Sequence, residues 1–337
     1  MREQNIKIIS TGVYHPENKV NNEYFISHFK EIGIDVEGLL EHLEREERYL
    51  SNDKNETVIT MAYDASMKAL NEANLNIRDI DLLIFATDTP EYTSPSNAVK
   101  LLDMLGRGDV RIKMAYDTNS NCLGMITALD QASRILMTNK RFKRALVVGG
   151  ILFSSVGNSK DSVSYPNFGD AAAAVILDKV EEDEKSGFID SIHLAQTSES
   201  NNILMPKIGY SSITKNGVEN GEDNKWFWEP FDGSFISDVW VDLIKEIAED
   251  NEISPKDINH LIFSQFTVPD ARLTLRKLGI DVNKTTYIGN EYGYTGTTSP
   301  ILALDRALKT GRINKGDYVT LASMGSGSVV TVLLFKF

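Results

Sequence analysis

The chain has 337 residues, of which 42% are hydrophobic, and a formal net charge of -13. This acidic balance argues against a surface for nucleic acid or anionic lipid, and we expect neither as a partner. A single cysteine excludes an internal disulfide framework and is typical of a reducing compartment. The chain begins with no signal-peptide pattern, and no apolar run approaches the roughly 20 residues of a membrane span. We therefore expect a cytoplasmic protein of one large or two ordinary domains.

The first part of the chain predicts a strand followed by a charged, helical segment. Residues 6–12 have the pattern of a strand, and residues 21–50 are charged and mostly helical. Arginines in a charged helical segment most often belong to its solvated face. We expect this of Arg45 and Arg48.

Helices and buried strands then alternate along the chain. Residues 58–73 carry apolar side chains at helical spacing. The continuous apolar runs at 82–86 and 145–149 are typical of strands that are covered on both faces of a parallel sheet. This alternation predicts an α/β protein.

The only cysteine, Cys122, lies between a predicted strand and a predicted helix. Residues 110–115 alternate apolar and polar side chains, and from Met125 onward apolar residues recur at helical spacing. A thiol in the first turn of a helix faces unpaired backbone N–H groups, which favour the thiolate. The pattern therefore predicts a nucleophile. Without further context, a lone cysteine is more often a small buried hydrophobe.

Residues 195–235 are irregular and contain a cluster of aromatic side chains at Trp226, Phe227, Trp228, Phe231 and Phe235. Such a cluster is more often packing beneath a long loop than a ligand-binding surface. A lid over an acyl pocket and a dimer contact are the other two interpretations.

The second half of the chain repeats the first. The pattern of residues 77–85 returns at 255–263, and that of residues 126–132 returns at 301–307, in the same order. An internal duplication explains both pairs. We therefore predict two similar α/β halves, residues 1–185 and 186–337. Cys122 then lies opposite Thr297, so the two equivalent turns are expected to face a common site.

Several ordered motifs resemble the ketoacyl-ACP synthase III family of the thiolase superfamily. They are the helix at residues 56–62, the FGDAAAA segment at 168–174, residues 276–280, and the glycine-rich segment at 324–328. Together with the cysteine turn they cover nearly the whole chain. The resemblance implies a thiolase-like fold, with the duplicated halves forming a five-layered αβαβα sandwich.

The family's chemistry implies acyl transfer to Cys122, followed in condensing members by attack of a decarboxylated malonyl thioester. In those members a histidine and an asparagine stabilise the enolate. At the matching positions this chain has Ser264 and Tyr294, so both usual donors are replaced. The resemblance further implies pocket or oxyanion positions at Ser326, Gly327, Thr297 and Gln265.

The leading hypothesis is therefore an acyltransferase of the 3-oxoacyl-ACP synthase III type, which passes an acyl group from Cys122 to a malonyl thioester or to another nucleophile. The alternative is a non-catalytic subunit that pairs with an active paralogue. A hydroxymethylglutaryl synthase-like reaction would need a second acid near the site. Glu291 is close in sequence, although a surface carboxylate is its commoner role.

The expected substrates are thioesters of coenzyme A or acyl carrier protein, with no permanently bound cofactor. Gly38, His42 and Ser162 stand where the family often has coenzyme A contacts, so the donor carrier stays open. The five histidines have no metal-site spacing, and we expect no metal. The resemblance also implies a homodimer in which residues 89–97 contribute to the partner's acyl pocket.

Overall fold

The computed structural model describes residues 3–337, which form thirteen strands and eleven helices joined by short 3₁₀ turns. The strands are β1 (Glu3–Tyr14), β2 (Lys19–Asn21), β3 (Glu47–Tyr49), β4 (Leu82–Ala86), β5 (Met114–Thr118), β6 (Arg144–Ile151), β7 (Ala171–Glu182), β8 (Gly187–Glu199), β9 (Ile203–Leu204), β10 (Phe227–Trp228), β11 (Ile258–Phe263), β12 (Tyr318–Gly325) and β13 (Gly327–Lys336).

The helices are α1 (Asn22–Glu31), α2 (Glu37–His42), α3 (Val58–Glu72), α4 (Asn97–Gly106), α5 (Gly124–Thr138), α6 (Phe153–Val156), α7 (Tyr210–Asn216), α8 (Ile236–Asp250), α9 (Val268–Leu278), α10 (Gly289–Tyr292) and α11 (Ser299–Lys309). Across the described residues, no helix is long and apolar enough to cross a membrane.

The main sheet has nine strands in the order β11-β12-β13-β8-β1-β7-β6-β4-β5. One group of adjacent strands consists of β1, β7, β6, β4 and β5. The other consists of β8, β13, β12 and β11. The two groups join through a single parallel pair, Ile6 with Gly187. Within the first group β4 is parallel to both β5 and β6, as its wholly buried sequence predicts. The predicted division at residue 185 falls in the turn between β7 and β8.

Alternate residues of each strand face opposite layers of helices. Leu82 and Ile84 of β4 pack in the central core with α5 and α11, whereas Leu83 and Phe85 pack against α3 and α4 on the outside. In the second group, β11 to β13 pack against α8 and α9 on their outer face. The layers are therefore helix, sheet, helix, sheet, helix. This confirms the predicted five-layered αβαβα sandwich.

One local prediction is wrong in its bounds, and another is confirmed only in part. The strand expected at residues 110–115 begins only at Met114, because Val110 and Ile112 pack beside α3 and α4 ahead of the sheet. The segment 21–50 is helical over α1 and α2, as predicted, but its end forms β3, which pairs with β2. Hydrogen bonds between these short strands outweigh the weak helical preference of their sequence.

Arg48 is fully buried in β3 rather than solvated. Its guanidinium lies 4.3 Å from the centroid of the Phe25 ring. It donates to Asn22 Oδ1 at 2.7 Å and also to the carbonyl oxygen of Pro166. Among the described residues, acceptors for its two terminal nitrogens, although not for Nε, offset the burial of this arginine, and these contacts tie α1 to the segment before β7.

Strand β1 crosses helix α3 at Gly12, where there is no room for a side chain. A Cβ atom at this position would collide with the carbonyl oxygen of Ala65 and lie 2.6 Å from the amide nitrogen of Ala69. We predict that Gly12→Ala lowers the free energy of unfolding by about 1–3 kcal/mol or more, because backbone must move to admit the methyl group. Chemical denaturation measures this change.

Gly38→Ala is the matched control for this substitution. Gly38 lies in α2 with no atom within 4 Å of its Cβ direction, so alanine should leave stability unchanged or raise it by roughly 0.5–1 kcal/mol. Equal stabilities of the Gly12→Ala and Gly38→Ala variants would contradict the prediction.

Candidate active site

Cys122 lies in a 3₁₀ turn, Asn121–Leu123, between β5 and α5. The equivalent turn of the second half, Gly296–Thr298, precedes α11. The Met125 N–H group donates to Thr297 Oγ1 at 2.8 Å, and a Cβ atom at Gly124 would lie only 2.9 Å from the same oxygen. The predicted meeting of the two turns is therefore confirmed. Glycine at position 124 is what permits their close approach.

Tyr294 and Ser264 lie together beside the thiol. The Tyr294 hydroxyl is hydrogen-bonded to Cys122 and lies 3.2 Å from Ser264 Oγ. Both residues are buried. Ser264 directly follows β11, and the backbone N–H of Tyr294 donates to the carbonyl of Asn167 at 2.7 Å. The structure thus brings Ser264 and Tyr294, the two positions at which the sequence analysis expected a replacement, to one point.

The turn between β12 and β13 closes another side of the site. The backbone N–H groups of Ser326 and of Cys122 itself act on the Cys122 sulfur. The Asn121 side chain holds this turn in place by donating to the Ser326 carbonyl at 3.0 Å. Gly325 has no room for a side chain, because a Cβ atom would lie 2.9 Å from the side chains of Asn121 and Leu123. Two backbone donors are therefore available near the nucleophile.

Two of the four pocket or oxyanion positions that the resemblance implied, Gln265 and Thr297, hold neighbouring backbone and do not line the cavity. Gln265 is buried, and its side chain donates to the carbonyl of Phe263 at 2.7 Å and accepts from the N–H of Ile288 at 2.9 Å. Thr297 is engaged with Met125. Ser326 and Gly327, in contrast, line the cavity that leads to Cys122.

At the Cys122 sulfur, burial opposes the thiolate that the start of the helix was expected to favour. Burial and the charge of Asp88 raise the pKa of the thiol to about 12. Hydrogen bonds from Tyr294 and from the two backbone N–H groups lower the pKa by less. Loss of hydration outweighs the effect of the helix end on the pKa of this thiol. The thiol must therefore lose a proton before or during its reaction.

Asp88, two residues beyond β4, is an acid that the sequence analysis missed. Both of its carboxylate oxygens are buried, and neither has a hydrogen-bond partner among the described residues. Burial raises the pKa of this carboxyl group to about 7. Glu291, the acid named from the sequence, instead forms a half-exposed ion pair with Arg306 at 2.9 Å. The position of Asp88 at the end of a wholly apolar strand was the available signal.

The cavity above Cys122 has a volume of about 310 Å³ and mainly apolar walls. Trp228 forms one wall, stacked between Phe266 at 5.1 Å and Phe231 at 6.3 Å between ring centroids. Trp226 is buried elsewhere against Phe153. The aromatic cluster of residues 226–235 thus contributes both to packing and to the acyl-sized cavity. Across residues 3–337, no histidine lines this cavity and no group of side chains is placed to bind a metal.

Arg45 is buried beside the site, contrary to the prediction of a solvated face. Its guanidinium donates to the carbonyl oxygens of Gln265 at 2.9 Å and Phe266 at 2.7 Å, and to the Tyr287 hydroxyl at 2.6 Å. Burial lowers the pKa of the guanidinium. Carbonyl acceptors arranged around a planar fork explain why an arginine is retained here. Arg45 holds the loop that follows Ser264.

A cysteine at the junction of two related α/β halves, beneath an apolar cavity and beside two backbone donors, is the arrangement of a thiolase-fold acyl-transferring protein. Comparison with known proteins narrows this class. Family models match residues 116–196, as 3-oxoacyl-(acyl-carrier-protein (ACP)) synthase III, and residues 248–337, as the C terminal part of the same family.

Individual relatives agree with these matches. The β-ketoacyl-(acyl-carrier-protein) synthase III of Clostridium perfringens is 32% identical over 335 residues, 99% of each chain. The protein of the same name from Pasteurella multocida is 31% identical over 333 residues, 98% of this chain and 99% of the relative. The crystal structure of 3-oxoacyl-(acyl-carrier-protein) synthase III from Aquifex aeolicus VF5 has a TM-score of 0.83 and 26% identity, covering 98% of this chain and 100% of that one. The chain belongs to the 3-oxoacyl-ACP synthase III family.

The hydrogen bonds of the buried Arg45 guanidinium give a prediction about stability. Arg45→Lys keeps the charge but cannot reach the carbonyls and the Tyr287 hydroxyl together, so we expect the free energy of unfolding to fall by about 2 kcal/mol or more. Amide hydrogen exchange at residues 264–267 should become faster, because the loop loses its anchor.

Arg111→Lys is the control, since Arg111 is exposed and should change stability by no more than about 0.5 kcal/mol. If exchange in the loop is the same in both variants, Arg45 does not hold it.

Proposed function

We propose that this protein is an acyltransferase that carries its acyl group as a thioester on Cys122. The observation that supports this most directly is the placement of the thiol beneath an apolar cavity of about 310 Å³, with the backbone N–H groups of Cys122 and Ser326 directed to it. An acyl chain fits such walls. Backbone donors at this position stabilise the oxyanion that forms when a thiol attacks a thioester.

The donor in this proposal is an acyl thioester of coenzyme A or acyl carrier protein. The names of the relatives refer to acyl carrier protein. Leu39 from α2 and Leu43 just beyond it line the cavity with Phe231, so the acyl chain would lie against α2 and the aromatic segment. Tyr294, whose burial raises the pKa of its phenol well above 10.0, stays protonated and can donate to the sulfur as negative charge develops.

The second half-reaction is expected to differ from that of the condensing members. Decarboxylation of a malonyl thioester develops an enolate, and the resemblance places a histidine and an asparagine as its donors. Here Ser264 and Tyr294 replace them, and each can donate only one neutral hydrogen bond. Loss of one preorganised donor raises a barrier by roughly 3–4 kcal/mol. We therefore propose slow condensation, and a hydroxyl or amine as the better acceptor.

A non-catalytic subunit is the weaker proposal. Assembly alone requires neither a cavity at Cys122 nor two backbone donors at its sulfur, yet both are present. We expect the protein to act in the cytoplasm as a homodimer, with residues 89–97 close to the partner's acyl pocket.

Acylation of Cys122 tests the proposal directly. Incubation with a panel of acyl-CoA and acyl-ACP donors, followed by intact and peptide mass spectrometry, should show the acyl mass of at least one donor on Cys122. Cys122→Ala should stay unmodified. If no donor labels a thiol that still reacts with a small alkylating agent, the acyltransferase proposal fails.

Tyr294→Phe should slow this acylation by roughly 10²-fold, because the sulfur and the developing oxyanion lose a buried donor. The rate is measured by quenched mass spectrometry with the donor that labels Cys122. Tyr210→Phe is the control, since Tyr210 is 55% exposed and belongs to α7. Equal acylation rates for the two variants would show that the Tyr294 hydroxyl does not contribute to the reaction.

The replaced pair gives a second prediction, about condensation. We expect the double variant Ser264→His/Tyr294→Asn to release CO₂ from malonyl-ACP about tenfold faster than the parent, because it regains two enolate donors. Ser264→His alone should be destabilised by about 1–3 kcal/mol, since Ser264 is buried 3.2 Å from the Tyr294 hydroxyl. A folded double variant with unchanged CO₂ release would contradict the assignment of these two positions.

A further inference from the structure

Asp88 lies at the same edge of the sheet as the Cys122 turn. β4 and β5 are parallel neighbours, and Ala86 at the end of β4 pairs with Thr118 at the end of β5. Asp88 follows the first strand and Cys122 follows the second. Because the carboxyl ends of parallel strands meet at one edge, Asp88 lies close enough to Cys122 for its charge to act on the thiol.

The carboxylate of Asp88 is unlike the other buried carboxylates in this part of the fold. Asp170 accepts from the N–H groups of Ser51 at 2.7 Å and Ser154 at 2.9 Å, which accounts for its burial. Both oxygens of Asp88 are buried with no partner among the residues that the structure describes. A buried polar group left unpaired is costly, and in native proteins it calls for a functional explanation.

The charge of Asp88 acts on both groups at the reacting centre. Its negative charge contributes to the raised pKa of the Cys122 thiol and of the Tyr294 phenol. The other charged groups near the site are differently placed. The positive charge of Arg45 interacts with Tyr294 from outside the cavity. Glu199 and Asp270 lie in the cavity wall. The carboxylate of Asp117 accepts backbone N–H groups of α4.

We propose that Asp88 accepts the proton of Cys122 during acylation, through one bridging water. This inference rests on the proposed acyl transfer. The S–H bond of Cys122 breaks as its sulfur attacks the thioester carbonyl carbon, and the proton passes to the Asp88 carboxylate. Collapse of the tetrahedral intermediate breaks the C–S bond of the donor, and the departing thiolate takes that proton. No oxidant or reductant is required.

The two groups start in the protonation states that this transfer requires. The pKa of Asp88 is raised to about 7 by burial, so above that pH the group is a carboxylate, while the thiol, with a pKa raised to about 12, still holds its proton. A proton acceptor works best when its pKa lies near the working pH. The described lining of the cavity contains no histidine that could serve instead.

Alkylation of Cys122 by iodoacetamide, followed by mass spectrometry between about pH 6 and 9, tests the proposal, because this reaction also removes the thiol proton but needs no acyl donor. In the parent protein the rate should rise through an inflection near pH 7, as Asp88 ionises, and then level off. In Asp88→Asn the inflection should disappear, and the rate at pH 7.5 should fall about tenfold or more. Glu291→Gln, which removes a surface acid, should retain the parent profile.

Two results would overturn the proposal. If Asp88 only repels the thiolate, Asp88→Asn will react faster than the parent at every pH, because removal of the charge lowers the pKa of the thiol. If the parent itself shows no inflection near pH 7, Asp88 is not the acceptor, whether or not the variant folds. Acylation without the inflection would reject this inference alone, whereas the inflection without acylation by any donor would reject the acyltransferase proposal alone.

Discussion

The contact between the Cys122 turn and the turn that precedes α11 is the constraint on which the site depends. The N–H group of Met125, at the start of α5, donates to Thr297, in the turn before α11. The two turns lie so close together that position 124 has no room for a side chain. This contact places the two central helices side by side between the sheets. The nucleophile comes from one half, and Ser264, Tyr294 and the Ser326 turn come from the other. Neither half alone would surround the thiol.

Burial at this junction governs the chemistry of the site. Loss of hydration raises the pKa of Cys122, of Asp88 and of Tyr294 together, so near neutral pH the thiol and the phenol hold their protons and Asp88 is close to its midpoint. The site is therefore not a preformed thiolate and cation pair. It works through neutral hydrogen-bond donors and one carboxylate, so proton transfer has to accompany nucleophilic attack.

The sequence predicted the alternation of helices and strands from periodicity and the meeting of the turns from internal repetition, using the apolar run of β4 and the repeated helix α11. The five layers, in contrast, were implied by the family resemblance. The predictions failed where long-range partners decide the outcome. Arg45 and Arg48 lie in a charged segment, but distant acceptors such as the Gln265 and Pro166 carbonyls satisfy them in the core. The pKa of Cys122 likewise depends on burial, which helical spacing does not report.

Asp88 is a residue whose importance the sequence could not show, because it depends on contacts that are missing from residues 3–337 of the folded chain. Its sequence context, an aspartate after a buried strand, is common, and only the absence of a partner for its oxygens within the described structure sets it apart.

Ser264 and Tyr294 stand at the two positions where the family resemblance implied a histidine and an asparagine, and they differ from that pair in size. The resemblance implied an imidazole at the first position, where a small side chain stands, and an amide at the second, where a large ring stands. The Tyr294 ring packs at 5.0 Å from Phe168 and 5.2 Å from Phe266, so it joins the aromatic wall of the cavity while its hydroxyl reaches the thiol. One residue thus supplies both an apolar wall and the donor. In the proposed reaction, a carboxylate-bearing acceptor would meet this wall and the charge of Asp88 in a cavity whose described lining contains no lysine or arginine, whereas a neutral hydroxyl would not be repelled. The charges around the cavity therefore support our proposal of an uncharged acceptor.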